Sequence, residues 1–175
     1  MDNTEEYTYL GITIHKSGLF TKSIRDLATK AERAFFCMKS MLKECSITPR
    51  LYVKLFDSLV QPVLLYCCEV WGGFGLKKRK DINKSLFLNL MTNDKTPFEK
   101  LNIKLSKQSL KIPRRASNFA CRAELGRFPI MRTIIVAILK YNMRLKTLDN
   151  NDLVIQAYLS QKNRHENSYK TYVTL

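Results

Sequence analysis

The sequence predicts a mainly α-helical protein, a bundle of about six or seven helices with a short N-terminal β-hairpin. Three observations carry this. The stretch EYTYLGITIHKSGLF at 5–19 alternates apolar and polar residues and contains turn glycines, as a half-buried hairpin does. From Phe20 onward, apolar residues recur instead at three- and four-residue steps. Helix start signals, Thr or Ser followed by Pro or by Glu three positions on, then punctuate the chain.

The elements follow in order. After a turn at Ser17-Gly18, Phe20, Ile24, Leu27, Ala31, Phe35, Met38 and Leu42 line one face of a helix over 20–44. At about 100° per residue, Lys22, Arg25, Lys30, Arg33 and Lys43 fall on the opposite face. Thr48 and Pro49 open the next helix as N-cap and first helical residue; Pro62 kinks or divides it, and Gly72-Gly73 stop it. The stretch 75–95 mixes a charge run with an apolar patch and predicts one short helix. Thr96 and Glu99 form a capping box around Pro97, opening a helix that runs to about Leu110. Further helices are expected over 114–124, ending at Gly126 as a left-handed cap, from Pro129 to about Leu148, and over 152–161. These signals divide the chain into a hairpin (1–19), helical regions at 20–74 and 75–161, and a polar tail (162–175).

With 175 residues and 45% hydrophobic content, the chain can bury a core. Thirty Lys and Arg stand against fifteen Asp and Glu, a net charge of +15, so a polyanion, above all nucleic acid, is the first partner to expect. Plain solubility is the competing explanation. Basic residues recur at Lys107, Lys111, Arg114, Arg115, Arg122, Arg127 and Arg132, a spread that suits phosphate contact better than base reading. The run Lys77, Lys78, Arg79, Lys80 reads as a phosphate-binding or nuclear-localisation patch, or as a solvated loop. Tyr7, Tyr9, Tyr66 and Trp71 could stack on bases, although core positions suit Tyr66 and Trp71 better.

Several classes lack the residues they need. Two-metal catalysis requires converging carboxylates, and the acidic residues are scattered. Asp149 and Asp152 in DNND read as turn and cap residues. His15 and His165 have no metal-ligand spacing, and there is no phosphate loop, GxSxG or HExxH. No catalytic residue, metal ligand or cofactor is therefore assigned. The five cysteines lack CxxC spacing and read as reduced, mostly buried thiols. Asp2, Glu5 and Glu6 occupy the place of a signal peptide's basic end, and no apolar run spans a bilayer; a nuclear or cytoplasmic protein without a membrane segment is expected.

Taken together, YTYLGITIHKSGLF, KAERAF, LFDSLVQPVLLYCCEVWGG, TPFEKLNIKLSKQSL, SNFACRAELGRFPI and ILKYNMRL resemble, in order and spacing, the C-terminal part of reverse transcriptases from non-LTR (LINE-like) retrotransposons. The resemblance covers residues 7 to about 160. It implies that Tyr9, Leu10 and Gly11 belong to the primer-grip hairpin and that 20–74 and 75–161 correspond to the thumb and the region beyond it. The family's catalytic aspartates, and the Mg²⁺ they hold, would belong to a palm that has no counterpart in this sequence, so a non-catalytic fragment is expected. Met1 leading into the hairpin suggests a truncated copy, and the Cys/His cluster of many members is missing. RNA or RNA–DNA template-primer is then the expected partner, bound non-specifically through the basic helical surface. Rival readings are a helical protein-interaction module that self-associates through its hairpin, and a degenerate copy with no selected function.

Overall fold

Two strands open the chain. β1 (Glu6–Tyr9) and β2 (Ile12–His15) pair antiparallel, with Tyr7 opposite Ile14 and Tyr9 opposite Ile12. The two residues between them, Leu10 and Gly11, have φ of 47° and 84°. Positive φ at both central positions is the signature of a type I′ turn, whose twist matches that of paired strands. In the computed structural model, which describes residues 5–17, 19–72, 88, 89, 91–148 and 152–156, everything else with regular structure is helical.

The first helix, α1 (Thr21–Met41), buries Leu27, Ala31, Phe35 and Met38, four of the seven residues its periodicity marks. Thr48 caps α2 (Pro49–Leu59), accepting from the Leu51 amide at 3.4 Å, with Pro49 at the first helical position. Pro62 has no amide hydrogen to continue the ladder, and the chain divides there into α2 and the single turn α3 (Gln61–Leu64). A second single turn, α4 (Cys68–Trp71), ends at Gly72. Thr96 caps α5 (Pro97–Ser109), Ser117 caps α6 (Asn118–Glu124), and α7 (Ile130–Thr147) follows. The Ser117 cap and a turn at Pro113–Ala116 start α6 at 118, four residues after the expected position. Pro129 lies one residue before α7. Helical residues at 88, 89 and 91 agree with a short helix in 75–95, and a helical turn at 153–156 falls within the expected 152–161. Residues 77–80, Asp149 and the tail lie outside the described residues.

The chain leaves α5 and α6 by the same device. After α6, the Gly126 amide bonds the Ala123 carbonyl and the Arg127 amide the Arg122 carbonyl, with Gly126 at φ 61°. This is a Schellman motif with glycine where the left-handed conformation favours it. After α5, Lys111 amide to Gln108 carbonyl and Ile112 amide to Lys107 carbonyl repeat the pattern, but the left-handed residue is Lys111, at φ 53°.

The chain forms two compact units, Met1–Ala137 and Ile138–Leu175. In the first, α1, α2 and α5 pack on one another, α3 packs on α1 and α2, and α6 on α5. Phe35 of α1 and Phe56 of α2 meet edge to face at 5.8 Å, and Trp71 lies against Phe98 of α5 at 6.1 Å. Such aromatic pairs add about 0.5–1.5 kcal/mol to the area they bury. In the second unit Leu145 and Ile155 are buried. Among the described residues no helix is long and apolar enough to cross a membrane.

Candidate nucleic-acid interface

The outer face of α1 carries the expected cations. Lys22, Arg25, Lys30 and Arg33 are all exposed. At about 100° per residue they span an arc of roughly 140°, and their surroundings differ. Lys22 is bonded to Glu6 of β1. That hydrogen bond holds its ammonium above the ordinary lysine value against desolvation, with the charges of Glu6 and Asp26 adding to it. Arg25 borders a groove of about 440 Å³ between α1 and α5, together with Lys100 and Lys104. The carboxylate in that groove, Glu32, accepts from Lys104 at 2.7 Å. Lys30 lies on the other flank, beside Gly11, Pro62 and Tyr66. Arg25, Lys30, Arg33 and Lys100 make no ion pair among the described residues.

Three ties hold the hairpin to this helix and its neighbours. Glu6 takes Lys22, the Ser23 hydroxyl donates to the Thr13 carbonyl, and the Tyr66 hydroxyl donates to the Leu10 carbonyl at 3.0 Å. The tip residues Tyr9, Leu10 and Gly11 thus sit beside α1 and the turn after α3. Tyr66 is 47% exposed, whereas a core position suits its sequence context; its hydroxyl serves the hairpin tip instead. Trp71 is buried as expected, its indole N–H donating to the Tyr66 carbonyl at 2.8 Å.

Two arginines of the C-terminal half, Arg122 and Arg127, are drawn into the protein, while Arg114, Arg115 and Arg132 are exposed. Arg122, 7% exposed, bonds Asp94 at 2.7 Å and Glu99 at 2.9 Å. Arg127 grips Asp57 with both terminal nitrogens, at 2.9 and 3.1 Å, and gives its Nε hydrogen to the side-chain oxygen Oδ1 of Asn102. Arg132 lies over the Phe128 ring at 4.1 Å, and Lys107 donates to the Arg114 carbonyl at 2.6 Å.

At the centre is Glu99. Thr96 Oγ1 accepts from its amide at 3.3 Å, the first half of the expected capping box. The carboxylate does not supply the second half. Oε1 accepts from Arg122 and from Asn102 Nδ2, and Oε2 accepts from the amide of Ile130, the first residue of α7. One side chain thereby joins α5, α6 and the start of α7. Burial would raise the pKa of Asp94, but hydrogen bonds from Arg122 and Asn118 and the charges of Arg122 and Lys107 hold it below the ordinary value. Its members are thus paired with one another, so removing one partner would leave a buried charge uncompensated.

The thiols are all free, but only Cys68 and Cys121 are buried; Cys67 is half-buried, and Cys37 and Cys45 are exposed because they flank the buried stripe of α1 or follow its end. Burial pushes the Cys68 thiol up to about 11, with Glu69 adding to the effect, which leaves it unreactive at neutral pH. No group of three His, Cys, Asp or Glu side chains that could hold a metal occurs among the described residues. No protein-family model matches this chain, and neither a curated protein nor a solved structure matches it.

Proposed function

We propose that this chain is a nucleic-acid-holding module of the kind formed by the primer grip and thumb of non-LTR reverse transcriptases, binding the backbone of an RNA or RNA–DNA template-primer without copying it. The observation that carries the proposal is the outer face of α1, where Arg25, Lys30 and Arg33 are exposed and unpaired among the described residues, with a docked hairpin beside the helix. Cations free of carboxylates are available to phosphates, and such contacts are sequence-independent. Sequence supplies the remainder: the ordered pieces from YTYLG to ILKYNMRL, and no pair of adjacent aspartates for a polymerase metal site.

The test is titration of the purified chain with a labelled RNA–DNA duplex, beside a primer-extension assay with Mg²⁺. Saturable binding without nucleotide incorporation is expected. Incorporation of nucleotides, or failure to bind at low salt, would overturn the proposal.

The hairpin favours one further reading, a protein contact. Tyr7, Tyr9, Leu10 and Ile14 are exposed apolar residues on a two-stranded sheet. Ile12, which the sequence groups with them, is buried. Charged replacements at Tyr9 and Ile14 therefore probe self-association without disturbing the core, and an unchanged monomeric mass in both proteins would count against this reading.

A further inference from the structure

A second basic site lies at the far end of α1. A cleft of about 500 Å³ opens between the last turn of α1, the loop after it and the last turn of α5. Lys39, Lys43, Lys107 and Lys111 line it, and among the described residues no carboxylate does. Two other grooves that carry more than one cation also contain an acid, Glu32 in one and Glu124 in the other. Here four lysines line one concavity; Lys107 gives a hydrogen to the Arg114 carbonyl, and gathering the like charges of Lys39, Lys43 and Lys111 around it is disfavoured unless an anion enters.

Helix ends account for only half of this. Lys39 and Lys107 stand in the last turns of α1 and α5, where cations complement the helix dipole. Lys43 and Lys111 lie beyond those helices. Lys111 in addition holds φ at 53°, the position of the Schellman turn that glycine normally fills, at a cost of about 1 kcal/mol for a residue with a side chain. A lysine kept in strained backbone at a cleft points to a use for its charge. Gln108, which also lines the cleft, has its Oε1 buried without a partner.

We propose that this cleft binds a phosphate-class anion, either a free polyphosphate or a phosphate of a nucleic-acid strand. The site does not depend on the template-primer reading, because none of Lys22, Arg25, Lys30 and Arg33 lines it.

Cys45 supplies the probe, since it is an exposed free thiol in the cleft, while Cys37 is exposed on α1 outside it. Alkylation of both by iodoacetamide is followed by mass spectrometry on the full chain, with sodium tripolyphosphate or a 5′-phosphorylated oligonucleotide added at constant ionic strength. Saturable protection of Cys45 and not of Cys37 is expected. In the double variant Lys43→Gln, Lys111→Gln the half-protecting concentration rises by about tenfold or more, with an unchanged melting temperature. Protection at lower concentration by the oligonucleotide assigns the site to a strand phosphate, and protection by tripolyphosphate alone assigns it to a free anion. Equal protection of the two cysteines, or protection that the double variant retains, overturns the proposal. A variant at Lys22, Arg25, Lys30 and Arg33 that loses the duplex yet keeps tripolyphosphate protection separates this site from the α1 face.

Discussion

Around Glu99 each arginine is matched to carboxylates and buried or nearly so, whereas along α1 and in the cleft at its end lysines and arginines face solvent with few partners. The contrast separates two uses of positive charge that the sequence total of +15 merges. Arg122 and Arg127 join helices, because a guanidinium can bond two carboxylates or grip one with two nitrogens. The lysines of the cleft, and the α1 cations Arg25, Lys30 and Arg33, make no ion pair among the described residues. Which use a residue has depends on whether the fold brings an acid to it, and the fifteen acids are not distributed evenly.

Breaking the paired region gives the largest effect. Glu99→Gln leaves Arg122 without its buried partner and weakens the tie to the Ile130 amide, so unfolding in urea should show a loss of about 3–5 kcal/mol. A loss below about 1 kcal/mol would mean that the network is incidental to stability. Acid should act on the same region. The Asp94 pKa is depressed in the folded state, so its contribution is present above the ordinary carboxylate value of 3.8 and is lost as pH falls through the lower folded value. Melting curves from pH 5 to pH 2 should fall less steeply for Asp94→Asn than for the parent.

Smaller effects sharpen the comparison at the turns. Lys111→Gly should stabilise by about 0.5–1 kcal/mol by relieving the left-handed backbone, and, if the cleft holds an anion, weaken that binding at the same time. Leu10→Asn, in a type I′ turn that favours Asn-Gly, should stabilise the hairpin by a similar amount, about 0.5–1 kcal/mol. Smallest of all is the effect on stability of replacing the α1 cations Arg25, Lys30 and Arg33 by Gln, expected within about 0.5 kcal/mol in the same urea measurement.

What the sequence made legible was local. The N-terminal hairpin, the buried stripe of α1, the caps at Thr48 and Thr96 and the left-handed Gly126 all arise from residues within a few positions of one another, where periodicity and cap chemistry act. The network of Glu99 was not legible, since its partners lie 23 and 31 positions away and the capping-box pattern offered a nearer use for the carboxylate. Arg122 and Arg127 read as free cations for the same reason. Lys111 had no signal at all: nothing in a lysine announces a left-handed turn. Of the candidate interface, the charge and the helix face were visible, while the pairing of Lys22 with Glu6 and the gathering of four lysines in one cleft required the fold.

The salt dependence of affinity for an RNA–DNA duplex tests the central claim most directly, comparing the parent chain with the variant in which Lys22, Arg25, Lys30 and Arg33 are Gln. If these side chains meet phosphates, log K falls with log salt, and the variant's slope is shallower by about 0.9 for each duplex contact removed. Identical slopes in the two proteins, or an affinity that does not change with salt, would contradict the assignment of α1 as the nucleic-acid face.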